Sequence, residues 1–228
     1  VGSEMGFGVG LAEAAAGRPD DVAMTPGLGE DGLLPEAERP EPRALAGVPG
    51  RVGAVVLAAG RSSRFGGAHK LLAPWRGKPL VAHVVDAVAA AGLPPPLVVL
   101  GHEAAAVRAA LAGRDVHFVQ AADWADGMGH SLAAGIAAVP EAWDAALLCL
   151  GDMPAVEPAL ITALAAAAGD VVAPVWDGRR GHPVRWPRAA FGQLRRLSGD
   201  AGGRSLMADH VVTEVAAPSP ACLTDIDT

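Results

Sequence analysis

The segment "VVLAAGRSSRFGGAHK" (residues 55–70) has the composition of a loop that binds phosphate groups. An apolar run ends at Gly60, and three cations follow among glycines and serines, namely Arg61, Arg64 and Lys70. Glycines allow backbone N–H groups to approach phosphate oxygens, and the cations neutralise a polyphosphate. Neither GxxxxGK(S/T) nor GxGxxG is present, so the segment is neither a P-loop nor a dinucleotide-binding fingerprint. These residues alone fit a phosphate-binding loop and a basic turn after a strand equally well.

A carboxylate in "LLCLGDMP" supplies a second kind of chemistry. Asp152 directly follows an apolar run, with Gly151 before it and Pro154 shortly after it. A carboxylate at the end of a buried strand is well placed to hold Mg²⁺ against phosphate oxygens. An aspartate at such a position is also common as a turn or helix-capping residue. Both interpretations of Asp152 remain open on its local sequence.

The elements that must position these residues alternate along the chain. From residue 52 onward, short apolar runs alternate with Ala-rich segments, which predicts a single α/β domain with a mostly parallel central sheet flanked by helices. Strands are predicted at residues 54–58, 96–100, 116–119, 145–150 and 170–175. Helices are predicted at residues 78–92, 103–113, 129–139 and 157–169. Since ligands of such sheets bind at the carboxyl ends of strands, the loops that follow the strands should meet at one edge.

Composition divides the chain and excludes several classes of protein. Residues 1–50 hold nine acids and three bases of a chain whose net charge is −7, so we expect residues 1–51 to be a disordered acidic extension and residues 52–228 to be the folded domain. With no basic face and 4% aromatic residues, nucleic-acid binding is not expected. No apolar stretch is long enough to span a membrane. The two cysteines, Cys149 and Cys222, form no disulfide framework, which favours a cytoplasmic location.

Six motifs together resemble those of a known family. In chain order they are "VVLAAGRSSRFGGAHKLL", "GMGHSLAAG", "LLCLGDMPAV", "GRRGHPV", "LSGDAGGRSL" and "DIDT". From about residue 52 to residue 228 the sequence resembles the molybdenum cofactor nucleotidyltransferases, and most closely the cytidylyltransferases among them. The resemblance implies a Rossmann-like fold and Mg²⁺-dependent transfer of CMP from CTP to the phosphate of molybdopterin cofactor. The implied products are molybdopterin cytosine dinucleotide and pyrophosphate, and the implied partner is a recipient molybdenum hydroxylase or its chaperone, contacted transiently.

The same resemblance carries roles onto individual residues. Those implied to bind the nucleotide are Leu57, Ala58, Ala59, Gly60, Arg61, Arg64, Lys70, Gln120, Gly127 and Ser131. Those implied to act in catalysis are Lys70, Arg61, Asp152 and Asp227. Those implied to meet the second substrate are Arg180, His182, Asp200 and Arg204. Asp152 and Asp227 are the implied Mg²⁺ ligands, with Asp225 as the alternative second acid, and His69 departs from the Asn or small residue expected before the lysine.

Other functions remain in competition with this interpretation. GTP could replace CTP, or an NTP could react with a sugar or alcohol phosphate on the same fold. The "LAAG" in the first motif, with "RGHP" and "DIDT", favours CTP by resemblance. A non-catalytic protein that delivers the cofactor is a third class, but a pure carrier does not need two metal-binding carboxylates. Of the remaining residues, Trp124 and Trp176 could stack on a ring system, although a tryptophan in a loop more often covers the edge of the core. His102 with Glu103 lacks the third ligand that zinc requires.

Overall fold

The structure is a computed structural model that describes residues 51–61 and 69–226. The chain divides into Val1–Glu41 and Pro42–Thr228, and all described residues belong to the second unit. Apart from Arg51, the expected acidic extension lies outside the described residues, as do Arg64 and Asp227. The predicted boundary near residue 51 therefore stays a prediction.

Ten strands and five α-helices make up the described part of the chain. The strands are β1 (Val52–Ala58), β2 (Pro74–Trp75), β3 (Lys78–Pro79), β4 (Leu97–Leu100), β5 (His117–Gln120), β6 (Ala145–Leu150), β7 (Val171–Trp176), β8 (Arg179–Arg180), β9 (Val184–Pro187) and β10 (Val212–Ala216). The α-helices are α1 (Leu80–Ala90), α2 (Ala104–Ala110), α3 (Met128–Ala137), α4 (Pro158–Ala166) and α5 (Phe191–Leu194). Short 3-10 helices cover Lys70–Leu72, Trp124–Asp126, Arg188–Ala190, Gly203–Asp209 and Pro220–Leu223.

A single eight-stranded sheet organises the domain. Its strand order is β10-β7-β9-β6-β1-β4-β5, with β8 paired to β7. The strands β6, β1, β4 and β5 are parallel neighbours, and β10 runs parallel to β7. Among the described residues, the antiparallel pairs of this sheet all involve β8 or β9: β8 pairs with β7, and β9 pairs with β6 and β7. The predicted α/β domain with a mostly parallel sheet and flanking helices is confirmed.

Apolar side chains cover both faces of the sheet, which explains why its central strands are apolar throughout. On β1, Ala54 and Val56 point into a cluster that includes buried residues of α1, α2 and α4. Val55, between them, belongs to the opposite cluster with residues of α3 and α5. On that side, a Cβ at Gly135 of α3 would lie 2.7 Å from the Val99 Cγ2 atom, so the helix packs close because this residue is glycine.

The structure corrects the start of the first predicted helix. The helix predicted at residues 78–92 has Pro79 in its first turn, where proline is favoured. In the structure, Lys78 and Pro79 instead pair with Trp75 and Pro74 in the small β2–β3 hairpin, and α1 begins one residue later. The hairpin turn has positive φ at Arg76 (+47°) and at the glycine that follows it. Its two-residue loop is typical of hairpins whose central residues both have positive φ. Within residues 51–61 and 69–226, no helix is long and apolar enough to cross a membrane.

Candidate active site

Four parallel strands end at one edge of the sheet, and the residues after them carry the candidate chemistry. Arg61 follows β1, His102 follows β4, Gln120 ends β5 and Asp152 follows β6. The turn after β6 passes close to β1, since the Gly151 N–H donates to the Leu57 carbonyl at 3.0 Å. A Cβ at Gly151 would lie 2.9 Å from that oxygen, so the close approach requires glycine.

Lys70 lies between two carboxylates at this edge. Its Nζ donates to Asp152 Oδ2 at 2.9 Å, and Asp225 Oδ2 lies 3.6 Å from the same nitrogen. The Lys70 side chain is only 10% exposed, so these contacts occur in a largely desolvated position. Residues far apart in the sequence thus place one ammonium and two carboxylates together, which is the charge pattern of a site for a metal–phosphate ligand.

The segment that contains Asp225 is fixed by backbone contacts. The Ile226 N–H donates to the Asp152 carbonyl at 3.1 Å, and the His182 N–H donates to the Cys222 carbonyl at 2.8 Å. A Cβ at Gly181 would lie 2.0 Å from that Cys222 oxygen, so a glycine is needed where the two segments touch. These contacts hold the second carboxylate beside the first.

His182 lies in the same neighbourhood, on the side of the incoming strand β9. Burial lowers the pKa of His182, the negative charge of Asp152 opposes that shift, and the positive charge of Arg204 adds to it. The peptide bond from His182 to Pro183 is cis. His182 is therefore within electrostatic reach of both Asp152 and Arg204, which brings together two of the four residues implied to meet the second substrate.

Two glycine-containing turns meet beside the start of α3. Gly127 has φ +124°, and a Cβ there would lie 2.2 Å from the carbonyl carbon of Gly199 and 2.8 Å from the Asp200 nitrogen. The Gly129 N–H donates to the Gly199 carbonyl at 2.8 Å. Ser131 is 5% exposed in the first turns of α3. The motif "GMGHS" and the loop with Asp200 thus form one joined structure rather than two independent loops.

A row of rings runs along the edge from β5 toward Lys70. The Arg61 guanidinium lies 5.2 Å from the Trp124 ring centroid, and the Trp124 and His102 rings are 5.3 Å apart. The His102 and His69 rings stack with centroids 5.7 Å apart. From the sequence, Trp124 is open to stacking on a ring but is favoured as a cover for the core edge, and His102 has no role in the site. The signal was present, because both follow strands that end at the edge where Asp152 lies.

Four other residues implied to bind the nucleotide, Ala58, Ala59, Gly60 and Gln120, differ in their burial and contacts. The Ala59 carbonyl accepts the His102 N–H at 3.1 Å, so it serves the fold, whereas a Cβ at Gly60 would meet nothing within 4 Å. Gln120 is exposed next to Leu100 at the end of β5. Ala58, the last residue of β1, is buried. Its register partner on β4 is Leu100.

Arg180 lies apart from the Lys70 cluster in its contacts. Its Nε donates to Glu214 Oε1 at 2.8 Å in an exposed ion pair between β8 and β10. Within the described part of the chain, Arg180 makes no hydrogen bond or ion pair with Lys70, Asp152 or His182. The implied role of Arg180 toward a second substrate therefore stays a prediction, as do the roles of Arg64 and Asp227, which are not described.

The donor set at this edge fits a hard divalent cation. The described residues contain no group of three or more His, Cys, Asp or Glu side chains that could hold a metal ion by themselves. Mg²⁺ usually binds one or two carboxylates and completes its shell with water and substrate phosphates. Asp152 and Asp225, next to one ammonium, match that arrangement, so the residues present fit the metal that the sequence resemblance implies.

Comparison with known proteins identifies the family. The family model described as "MobA-like NTP transferase domain" matches residues 54–215, well over half of the chain. The chain belongs to the MobA-like NTP transferase domain family. The predicted Rossmann-like nucleotidyltransferase fold is thereby confirmed, and Lys70 and Asp152 both lie within the matched residues of the MobA-like domain.

Solved structures agree with membership of the MobA-like family. A Methanothermobacter nucleotidyl transferase is 30% identical with TM-score 0.68, over 77% of this chain and 91% of its own. Rv0371c from Mycobacterium tuberculosis H37Rv, solved as a complex with manganese, is 32% identical with TM-score 0.63, over 73% of this chain and 88% of its own.

One curated relative is not named as a molybdenum cofactor nucleotidyltransferase, the family that the sequence motifs resemble. Bifunctional protein GlmU of Sinorhizobium fredii (strain NBRC 101917 / NGR234) is 38% identical over 114 residues. That alignment covers 48% of this chain and 25% of the relative, so the chain spans about a quarter of the relative's length. The similarity therefore covers only part of a longer protein.

Proposed function

We propose that the protein transfers CMP from CTP to the phosphate of molybdopterin cofactor and releases pyrophosphate. The observation that carries the nucleotidyl-transfer step of this proposal is the Lys70 ammonium between the Asp152 and Asp225 carboxylates, at the edge where the loop after β1 begins. Membership of an NTP transferase family supports nucleotidyl transfer, and the six sequence motifs support CTP and the pterin acceptor. A cytoplasmic location and transient contact with a recipient molybdenum hydroxylase or its chaperone belong to the same proposal.

The reaction needs charge stabilisation more than it needs a base. A phosphate oxygen of the acceptor attacks the α-phosphorus of CTP, and the bond from that phosphorus to the bridging oxygen of pyrophosphate breaks. The attacking oxygen is already ionised, so no side chain must remove a proton from it. Lys70 and Arg61 stabilise the charge that moves onto the departing pyrophosphate. Arg61 would exchange its contact with Trp124 for phosphate oxygens.

Asp152, with Asp225 or Asp227, would hold the divalent cation of this reaction. When bound, the cation neutralises phosphate charge and orients the reacting oxygens. The manganese complex of Rv0371c supports a divalent cation in this family, and Mg²⁺ is our proposal for this chain. Lys70, which donates to Asp152 in the described structure, then shares its hydrogen bonds between that carboxylate and the triphosphate.

The two substrates are proposed to approach from opposite sides of Asp152. Gln120, Gly127 and Ser131 would lie on the side of the base and ribose, where β5 and α3 meet the sheet edge. His182 and Arg204 would meet the anionic acceptor, because the charges of both Asp152 and Arg204 act on His182. Asp200, beside the Gly127 turn, would join the two sides. Arg180 would have to leave Glu214 before it could bind an acceptor.

A second candidate is transfer of a nucleotidyl group to a sugar or alcohol phosphate. The observation that favours it is the match to Bifunctional protein GlmU, which points to a different family member from the molybdenum cofactor enzymes. The same residues would serve the same displacement at the α-phosphorus, so Lys70 and Asp152 do not separate the two candidates. The choice depends on the residues that face the base and the acceptor.

One experiment tests which nucleotide base is used, which acceptor is used, and whether the protein is an enzyme or a carrier. The purified protein is incubated with Mg²⁺ and each NTP in turn, with molybdopterin cofactor or with a panel of hexose 1-phosphates and alcohol phosphates, and the products are analysed by mass spectrometry. A CMP adduct of molybdopterin with CTP alone is the expected result. An adduct with GTP or with a sugar phosphate would replace the proposal by that reaction. Cofactor binding without any adduct would show a carrier.

A further inference from the structure

His69, the residue before Lys70, connects this part of the chain to the turn after β4. Its side chain is buried, with 6% of the residue exposed. The Nε2 atom lies 3.2 Å from the His102 carbonyl oxygen. Since a carbonyl only accepts, Nε2 carries the proton and donates this bond. The buried ring therefore holds a defined tautomer, whose donor points at the backbone of the turn after β4.

His102, in the turn after β4, is also hydrogen-bonded to the residue that follows β1. The His102 N–H donates to the Ala59 carbonyl at 3.1 Å, while its own carbonyl accepts from His69. On the other side, the His69 carbonyl accepts the Leu72 N–H at 2.9 Å and so opens the 3-10 helix Lys70–Leu72. A continuous series of hydrogen bonds thus runs from the end of β1, through His102 and His69, to the helix that begins with Lys70.

We propose that His69 is a positioning residue that holds the Lys70 amine at Asp152 by hydrogen bonding to the His102 backbone. The assignment rests on the proposed function in so far as Lys70 binds the triphosphate. His69 itself touches neither substrate nor metal in this role. It fixes the backbone from which the Lys70 side chain reaches Asp152 Oδ2 at 2.9 Å.

The chemistry of imidazole suits this position. Burial lowers the pKa of His69, so the ring is neutral near pH 7 and adds no positive charge next to Lys70. The ring also stacks on His102 with an angle of 11° between the planes, which restricts its orientation. A neutral donor with a fixed direction positions a neighbouring ammonium without repelling it.

Two substitutions separate the hydrogen bond from the ring. His69→Gln keeps an amide N–H near the position of Nε2 but removes the aromatic ring, whereas His69→Phe keeps a ring that can stack and removes the donor. His69→Leu is a second donor-free variant, in case the Phe variant does not fold. His117→Phe is the matched control, because His117 is exposed on β5. Thermal unfolding of each variant shows whether it is folded.

The first measurement uses the two lysines of the sequence, Lys70 and Lys78. An amine-acylating reagent is applied in limiting amount to the free protein, and the labelling of each lysine is measured by peptide mass spectrometry. With Lys78 as internal reference, labelling of Lys70 should rise roughly two- to tenfold in His69→Phe, the range expected for loss of one hydrogen bond. It should remain near the wild-type ratio in His69→Gln and His117→Phe. Unchanged labelling in His69→Phe, or an equal rise in His69→Gln, would overturn the proposal.

The second measurement asks whether His69 acts through Lys70. Binding of CTP is measured by calorimetry for wild type, His69→Phe, Lys70→Ala and the double variant. His69→Phe should weaken binding roughly two- to tenfold in the wild-type background and produce no further loss in Lys70→Ala. An equal loss in both backgrounds would show that His69 does not act through Lys70. If wild type binds no NTP, the proposed function is wrong, while the labelling ratio still decides the role of His69.

Discussion

Substitution of Asp152 should lower the rate of the proposed reaction more than any other single change. Asp152→Asn keeps the size of the side chain but removes the charge that would hold a divalent cation, so we expect kcat to fall by about two orders of magnitude or more. Its side chain is 27% exposed and lies outside the apolar clusters, so the midpoint of thermal unfolding should change little. Initial rates of pyrophosphate release with CTP and Mg²⁺ provide the measurement.

Asp115→Asn is the matched control for this substitution. Asp115 is exposed and lies two residues before β5, at the opposite end of the strand from the site edge, so the Asp115→Asn enzyme should keep the wild-type rate. An active, metal-dependent Asp152→Asn enzyme would remove the central support for the proposed function.

The second carboxylate can be identified by comparing two neighbouring acids. Asp225 lies 3.6 Å from Lys70 Nζ, and the sequence resemblance favours Asp227, which is not described. We expect Asp227→Asn to raise the Mg²⁺ concentration needed for half-maximal rate by tenfold or more, as expected for loss of a charged metal ligand. Asp225→Asn should raise that Mg²⁺ concentration by a smaller factor, because Asp225 contacts Lys70. The reverse order would make Asp225 the metal ligand and leave Asp227 outside the site.

Among the helices and strands, the boundaries are predicted best where an apolar run of the sequence is uninterrupted. Residues 145–150 were predicted as a strand and form β6 with the same bounds, because a strand covered on both faces is apolar throughout. Prolines gave the wrong boundary at α1, where Pro79 suits a first helical turn but pairs with Pro74 instead. A two-residue strand has too little pattern to be recognised, so the β2–β3 hairpin was missed.

Strand direction is the feature that local sequence does not contain, and it decides which residues reach the site. His182 lies near Asp152 because β9 runs antiparallel to β6, with Val184 in register with Leu148. The start of β9 is therefore at the edge where β6 ends. The apolar pattern of β9 would be the same in either direction. Only the motif "RGHP" indicated that this segment belongs to the site, and it did so by resemblance.

The contact between Gly181 and the 3-10 helix Pro220–Leu223 predicts a substitution that damages the site without removing any functional group. In Gly181→Ala the added Cβ would lie 2.0 Å from the Cys222 carbonyl oxygen, so the segment that carries Asp225 must move. We expect a fall in kcat of about tenfold or more, by analogy with the large rate losses that small displacements of catalytic groups cause. Rates at saturating CTP and Mg²⁺ are the measurement.

Gly192→Ala serves as the control for adding a methyl group at a glycine. A Cβ at Gly192, in α5, would approach no atom closer than 3.8 Å, so both rate and stability should be retained. If Gly181→Ala also retained the full rate, the position of Asp225 relative to Lys70 would be unimportant for turnover.

For the whole molecule, two histidines make stability depend on pH. Burial lowers the pKa of His69 and of His182 below the usual 6.5, so protons bind more tightly to the unfolded chain than to the folded one. Their contribution is complete above pH 6.5 and is lost as the pH falls through the lowered values. The free energy of unfolding, measured with urea, should therefore decrease from pH 7.5 to pH 5. The pKa of Asp86 is lowered by Arg114 and Lys78, and its contribution is lost only in more acidic solution.

Replacing the two histidines should flatten this dependence. The double variant His69→Gln, His182→Gln is expected to lose less stability than wild type between pH 7.5 and pH 5, while His117→Gln, at an exposed position, should follow wild type. Parallel curves for the double variant and wild type would show that other groups cause the pH dependence.

The acidic region before the domain gives a prediction about the entire chain. The family model begins at residue 54 and the sheet begins at Val52, so residues 1–50 supply no part of the matched domain. Deleting residues 1–50 should leave CTP affinity and initial rate within about twofold of the full chain, since changes outside the residues that carry the chemistry usually have small effects. A larger loss, measured by calorimetry and pyrophosphate release, would assign the acidic region to substrate or partner binding.

The Lys70–Asp225 contact also has a consequence for the order in which the chain is made. The ribosome delivers Lys70 before most of the sheet exists, but Asp225 only after β10 has been synthesised. Domains of this kind fold as units, so a nascent chain that has formed β1 and the lysine helix still lacks the second carboxylate. The nascent protein therefore acquires its complete charge cluster only after β10 has been made, and a chain released before that point would carry the lysine without its second acid.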